Sequence, residues 1–501
     1  MELSSQTEHN PPLYQLIFEH MLKRLEQGEW QAHDKLPSIR HLAVELEVHR
    51  LTVFRAYKML CETGKVYVKD KSGYYVSHIS PVTSVSPVKI LTELPSQMAN
   101  LPNTNFTINC MATSNLPTHS FSEIQRIPAT YQFSQALIDP GLLPNLYLSD
   151  YVKKVFDLYP KLMGTYASVQ GDEELRVMLS QHFHEQMGIQ LTAEEMLITS
   201  GAQQAIHLLA EMLVGPMDAV LIERPTYSIA MDVFKSRGAR LLPVDITEEG
   251  YDLEQLEALI HKYKPRLFYM NPTHQNPTGY TVPSWQRKQL VELAERYNCL
   301  LIEDDAFHDI YFAEEPPLPL FTYDTFGKVV YIRSFSKYVA PGLRICAVAC
   351  RKPLIDSLVS AKSLVDNGTP LLNQKIFLHY YTSPRLQQHV GKLRIALQIH
   401  KEIVEKKFAA AGWQWTSPQG GLNLWAKLPD GITAQDLLQV AVGQSISFMP
   451  GPLFDHLGKF ESWVRLSYSF TNETVLREGV EKLIRLVERL GDEGDSFISF
   501  H

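Results

Sequence analysis

Cysteine is scarce in this chain, with five in 501 residues, at positions 61, 110, 299, 346 and 350. None stands in a CxxC pair or at zinc-ligand spacing, which excludes a disulfide-stapled scaffold and a zinc module and implies reduced thiols. Apolar runs are short as well. None approaches the roughly 18 residues of a membrane span, and the amino terminus has no apolar signal core, so a cytoplasmic protein with no membrane partner is expected. Positive charge is in deficit, with a formal net charge of −8. That excludes a surface that attracts nucleic acid everywhere. What remains, 45% hydrophobic and 20% charged residues, is the composition of a globular chain, and its length exceeds one ordinary domain.

Charge is nevertheless concentrated in one place. Between Lys35 and Lys71, the eight cations Lys35, Arg40, Arg50, Arg55, Lys58, Lys65, Lys69 and Lys71 stand against Glu45, Glu47, Glu62 and Asp70. The resulting net of about +4 suits a dedicated DNA contact. Residues 12–27 place apolar side chains at 13, 17, 21, 22 and 25, a helical period after a proline start. Pro37-Ser38 opens a second helix with Ile39, Leu42, Ala43 and Leu46 on one face, and a third carries Val53, Ala56, Tyr57 and Leu60. Two short helices across a tight turn form a helix-turn-helix pattern, and KVYVKDKSGYYVS after them reads as two strands around a charged tip.

LPSIRHLA and TVFRAYKML, as they stand here, resemble the signatures of the winged-helix domain of the GntR family. The resemblance implies that residues 1–79 bind double-stranded operator DNA. It places Arg40, Arg50, Thr52 and Arg55 at the DNA with Lys58 nearby, and Lys69 and Lys71 on the wing tip. From Ile79 to about Asn105 the chain is rich in Ser, Pro, Thr and Val, so residues 80–115 are read as a linker and 116–501 as the effector domain.

Beyond 130, the strand-like runs MLITS, AVLIE, RLFYM, CLLIED and VVYIR alternate with helical segments. Such alternation predicts a mostly parallel α/β sheet covered by helices. From about 370, long helices followed by GGLNLWAKLP, ISFMPG and WVRLSYSF suggest a smaller α+β subdomain.

The chemistry is concentrated after VVYIR. Ser334, Ser336, Lys337 and Arg344 combine an amine that can form a Schiff base with hydroxyls and a guanidinium that can hold a phosphate, which suggests pyridoxal 5'-phosphate. SGAQQAIHLLAEML ends a strand and opens a helix, where the backbone N–H groups of Gly201, Ala202 and Gln203 would suit the same phosphate. No metal is called for.

These stretches occur in an order that resembles a fold-type-I aminotransferase over about 130–490. The resemblance implies Tyr227 against the cofactor ring, and Asn276 on its phenolic oxygen in a loop held by Pro277 and Gly279. It puts Asp304, with Asp305 as the other register, on the ring nitrogen, and Lys337 as the Schiff-base residue. It further implies Arg465 on an α-carboxylate and Tyr166 reaching a phosphate across a dimer interface. One position departs from the pattern, because Phe307 stands where typical members have a tyrosine. Losing that hydroxyl removes a charged hydrogen bond of about 1.5–3 kcal/mol, so cofactor binding with little or no transaminase turnover is expected. The whole architecture resembles the MocR subgroup of GntR-type regulators. That implies a homodimeric transcription factor sensing the cofactor itself or an amino compound, with a competent aminotransferase carrying an accessory DNA-binding domain as the alternative.

Overall fold

The computed structural model describes residues 13–77, apart from 28, 47, 63, 64 and 70–72, and residues 121–498. The linker read over 80–115 lies outside the described residues, as do Lys71 and the side chain of Lys69. The chain divides into two compact units, Met1–Cys110 and Met111–His501.

In the first unit, α1 (Leu13–Glu26), α2 (Ile39–Glu45) and α3 (Arg50–Glu62) precede a hairpin of β1 (Val66–Lys69) and β2 (Gly73–Val76). Ser38 caps α2 by accepting a hydrogen bond from the His41 N–H at 3.2 Å, satisfying one of the donors left free at a helix start. The apolar stripes anticipated from the periodicity meet in one core, in which Ile17, Met21 and Leu25 of α1 contact Leu42 of α2 and Val53, Ala56, Tyr57 and Leu60 of α3. The buried Tyr57 ring carries a polar tip, and its hydroxyl donates to Pro37 O at 2.8 Å, tying α3 to the start of α2. The antiparallel hairpin pairs Val66 with Val76 and Lys69 with Gly73.

The second unit opens with α4 (Phe121–Arg126), β3 (Tyr131–Gln132), α5 (Asn145–Leu158) and α6 (Glu173–Met187). Strands and helices then alternate: β4 (Met196–Thr199), α7 (Ala202–Leu213), β5 (Ala219–Arg224), α8 (Ser228–Ser236), β6 (Arg240–Thr247), β7 (Gly250–Tyr251), α9 (Leu253–Tyr263), β8 (Leu267–Met270), α10 (Ser284–Tyr297) and β9 (Leu300–Asp305). They are followed by β10 (Val329–Ser334), β11 (Cys346–Ala349), α11 (Leu354–Ser363), α12 (Leu371–Tyr381) and α13 (Pro384–Ala410). The remainder is β12 (Gln414–Thr416), β13 (Asn423–Lys427), α14 (Ala434–Gly443), β14 (Ile446–Ser447), β15 (Met449–Pro450), β16 (Trp463–Ser467) and α15 (Glu473–Ile498).

Eight strands form the central sheet in the order β4-β11-β10-β9-β8-β5-β6-β7. The pairs from β10 through β9, β8 and β5 to β6 are parallel, whereas β11 runs antiparallel between β10 and β4. Successive residues of these strands serve opposite faces. Leu221, Phe268 and Leu301 join the core containing α10, while Val220, Ile222, Tyr269 and Ile302 join the core containing α7. Burial on both faces explains why these strands read as continuous apolar runs rather than as alternating ones. The sequence reading did not name β6 or β11. Pro243 interrupts β6, yet it costs no ladder bond on the β7 side, because β7 pairs only with Ile246 and Thr247. The CAVA run of β11 has small side chains, which carry weak strand preference. A second, antiparallel sheet is ordered β12-β13-β16-β15, and β3 pairs with β14.

Candidate functional site

The parallel strands release their chains at one edge of the sheet, where loops of open α/β folds gather ligand-binding groups. A cavity of about 270 Å³ lies there, bounded by residues from the ends of β8, β9 and β10, the first turn of α7, the loop carrying Tyr227, and Arg465 on β16.

Strand alternation turns the two adjacent acids to opposite faces. Asp304 lines the cavity, and its Oδ2 accepts a 2.7 Å hydrogen bond from the Tyr269 hydroxyl, while its buried Oδ1 has no partner. Burial pushes its pKa up to about 6. Asp305 faces the other way, 3.2 Å from the Arg333 guanidinium and 2.8 Å from the Tyr331 hydroxyl, with the His308 ring at 3.1 Å. Burial alone would raise its pKa, but His308 and Arg333 overcome that and hold it below the usual carboxylate range. The two neighbours therefore differ in availability: one carboxyl is open to a ligand, the other is consumed by the fold.

Lys337 follows β10 and projects into the cavity, where its Nζ donates to Ala136 O at 2.8 Å. Burial brings the amine down to about 8, with Arg465 and Arg344 adding like-charge repulsion. A lysine so placed loses its proton easily and becomes a nucleophile. Ser334 and Ser336 line the same wall, and the buried Ser336 Oγ has no partner. Arg344 is exposed at the rim and donates to Ser200 O at 3.0 Å. Its guanidinium lies against Gly201, whose φ is +95° and where an added Cβ would come within 2.2 Å of it, so only glycine permits this approach. Ala202 and Gln203, in the first turn of α7, line the cavity beside it.

Arg465 is fully buried, at 0% exposure, and makes no ion pair with a described carboxylate. It donates to Asn276 Oδ1 at 3.3 Å and to Ser134 O, while its Nε has no partner. A buried, uncompensated guanidinium is costly unless an anion completes it. Tyr227, Asn276 and Phe307 complete the set named from sequence around this cavity. Tyr166 does not join them. It is 83% exposed and lies away from the cavity within one chain.

Several lining residues were not anticipated, among them Phe121, Gln125, Gln135 and Asn271. Asn271 donates to Asp304 O at 3.0 Å. It was visible as the first residue of NPTHQNPTGY, whereas Phe121 and Gln125 carry no local signal. A second unread feature is Gln275, whose amide donates to Pro225 O at 2.6 Å and to Glu223 Oε2 at 3.1 Å, tying the Asn276 loop to the Tyr227 loop.

In the first unit, α3 buries Val53, Ala56, Tyr57 and Leu60 and thereby turns Arg55 and Lys58 outward, where they line a shallow groove with Tyr14 and Met59. Arg50 is the exposed first residue of α3, Thr52 is half-buried in its first turn, and Arg40 is exposed on α2.

A lysine whose pKa is depressed, a buried carboxylate with one oxygen unpartnered and a free serine hydroxyl at the carboxyl edge of a mixed α/β sheet define the class, an aminotransferase-type fold carried on the same chain as a winged helix. The chain belongs to the class I and II aminotransferase family, whose model matches residues 157–483, and residues 13–76 match the gntR family of bacterial regulatory proteins. It is 30% identical over 372 residues to 2-aminoadipate transaminase of Thermus thermophilus, covering 72% of this chain and 91% of that protein. It is 28% identical over 487 residues to the uncharacterized HTH-type transcriptional regulator YdcR of Escherichia coli, covering 96% of this chain and 99% of that one. The crystal structure of LysN, the α-aminoadipate aminotransferase of Thermus thermophilus in complex with N-(5'-phosphopyridoxyl)-L-leucine, superposes with a TM-score of 0.70 at 29% identity, covering 74% of this chain and 95% of that one. The full-length match to a regulator fits the fused architecture of the MocR subgroup. Pyridoxal 5'-phosphate is the cofactor that the family defines, and the partnerless Asp304 Oδ1 and Ser336 Oγ beside Lys337 suit its ring and phosphate. No helix among the described residues is long and apolar enough to cross a membrane.

Proposed function

We propose that this protein is a transcriptional regulator whose winged helix binds operator DNA and whose aminotransferase-type domain senses an amino compound, or pyridoxal phosphate itself. The observation that carries the reading is the union, on one chain, of a basic α3 surface with a cavity holding Lys337, Asp304, Arg344 and Arg465. In this reading Ser334, Ser336, Arg344 and the first turn of α7 from Gly201 to Gln203 would hold the phosphate. Tyr227 would face the ring, Asn276 would donate to its phenolic oxygen, and Asp304 would pair with its nitrogen. Bound there, the cofactor would supply an aldehyde to the Lys337 amine and an electron-withdrawing ring. Asp304 would keep that ring cationic, Lys337 would present an amine whose pKa burial brings down to about 8, and Arg465 would fix a carboxylate. Arg40, Arg50, Thr52 and Arg55, with Lys58, Lys69 and Lys71, are proposed for the DNA. The protein acts as a cytoplasmic homodimer, in which Tyr166 of each copy serves the other's phosphate site.

An effector shifts such a protein only by binding its conformations unequally. The experiment is operator affinity, on duplexes selected from a random pool by the full chain, with and without pyridoxal phosphate and a panel of amino acids. A several-fold change in affinity without multiple-turnover keto-acid formation is expected. Turnover with unaltered DNA affinity would instead establish an aminotransferase with an accessory DNA-binding domain. Phe307 favours the sensor, since it offers no hydroxyl to the phenolic oxygen. Phe307→Tyr is accordingly expected to lower the pH midpoint of the bound cofactor's absorbance by roughly one to two units, the equivalent of one charged hydrogen bond; coincident midpoints would leave Phe307 without that role.

A further inference from the structure

The cavity contains four charged side chains, Asp304, Lys337, Arg344 and Arg465. The reading above assigns each of them, to ring nitrogen, aldehyde, phosphate and α-carboxylate in turn. What is left of the wall, including Phe121, Gln125, Gln135, Leu137, Ile229 and Phe307, carries no charge. Among the described residues no cation of this wall remains for a second carboxylate, and no acid remains for a second ammonium.

Two of these residues come from α4, the first described element after residue 77. Phe121 is 5% exposed, stands edge-on to Tyr227 with ring centroids 6.2 Å apart, and lies 5.6 Å from the Arg465 guanidinium. It therefore touches both the aromatic plate and the carboxylate-fixing group. Gln125 lies one turn further along. Its main-chain carbonyl accepts from the Gln135 amide at 3.1 Å, which engages one N–H of Gln135, while its own side-chain amide makes no hydrogen bond to a described residue. A free amide beside a buried aromatic ring is a recognition surface for an uncharged side chain.

We propose that α4 is the side-chain reader of the cavity, and that the effector is an α-amino carboxylate with an uncharged side chain contacted by Phe121 and Gln125. Burying a second charge on this wall leaves it without a counter-charge, and that desolvation works against acidic and basic amino acids. The inference rests on the assignment of Arg465 to the α-carboxylate. Because α4 is the first described element of the second unit, the reader is also the element of that unit nearest in sequence to the winged helix.

Calorimetric titration of the full-length, cofactor-loaded protein tests this with two near-isosteric pairs, L-glutamine with L-glutamate and L-norleucine with L-lysine. The neutral member of each pair is expected to bind at least about tenfold more tightly. Gln125→Ala should reduce the preference for glutamine over glutamate several-fold, and Phe121→Ala should reduce that for norleucine over lysine, with Phe121→Leu restoring part of it. A charged member that binds as tightly as its partner overturns the proposal, as do selectivity ratios unmoved in Gln125→Ala and Phe121→Ala, or an absence of heat with all four. Pentylamine, which is norleucine without its carboxylate, separates the two levels. If it binds as tightly as norleucine, the Arg465 assignment fails, while the neutral-over-charged comparison still judges α4.

Discussion

Two adjacent aspartates with the same intrinsic chemistry end in opposite states because a strand turns successive side chains to opposite faces. Asp305 meets Arg333, His308 and Tyr331, whereas the Asp304 carboxyl meets no cation of this kind but the Tyr269 hydroxyl, with Asn271 beside it, and open cavity. The sequence IEDD does not distinguish them, since the deciding partners lie on β8 and β10 and beyond β9. The raised pKa of Asp304, about 6, yields a prediction with a definite sign. Below that pH the carboxyl carries its proton and offers no charge to a cationic ring; above it the carboxylate does. Cofactor affinity should therefore rise with pH through about 6. Asp304→Asn should flatten that rise and weaken retention at neutral pH by ten- to a hundredfold, the equivalent of about 1.5–3 kcal/mol for a charged hydrogen bond. Equilibrium dialysis at several pH values measures both, and parallel profiles in the two proteins would refute the assignment.

At the scale of elements, α3 has two jobs on two faces. Val53, Ala56, Tyr57 and Leu60 hold it in the core, and the same 3.6-residue period obliges Arg55 and Lys58 to face outward. Arg55→Ala is predicted to weaken operator binding across sequences and to make the dependence of log affinity on log salt shallower by about one unit, as expected for one lost phosphate contact. Fluorescence anisotropy at fixed salt steps reads this out, and an unchanged slope with unchanged affinity counts against Arg55. Elements of this kind were legible because their patterning is local: the stripe of α3, and the apolar run of β10 that ends in Ser334 and leads to Lys337. Others were not legible. The strand β6 contains Pro243, which costs no ladder bond toward β7 because β7 pairs only with Ile246 and Thr247. The helix α4 has six residues, too few to show a period, and its importance comes from contacts with Tyr227, Phe454 and Arg465, far away in sequence. The cofactor-facing groups could be named one by one from their order along the chain, but the wall that discriminates among ligands is assembled from segments with no common pattern.

At the scale of the whole molecule, the residue that resists a single-chain account is Tyr166. It is 83% exposed, an unusual setting for a large aromatic ring, and it lies off the cavity that holds the other named groups. If each cofactor site takes Tyr166 from the other copy, hybrid dimers reveal it through simple combinatorics. Protomers carrying Lys337→Ala and protomers carrying Tyr166→Phe each form defective homodimers. In a hybrid of the two, the site with an intact Lys337 receives an intact Tyr166 from the Lys337→Ala partner and is fully native, while the other site carries both defects. Differently tagged protomers, co-expressed and purified as the hybrid, should thus regain native affinity for pyridoxal phosphate at one site in two. Were Tyr166 to serve its own chain, each site of the hybrid would keep one defect and no native-affinity population would form. The same hybrid carries two winged helices, so it should still engage an operator of two half-sites. A hybrid that regains one native cofactor site and binds that operator would therefore tie both units to a single dimer.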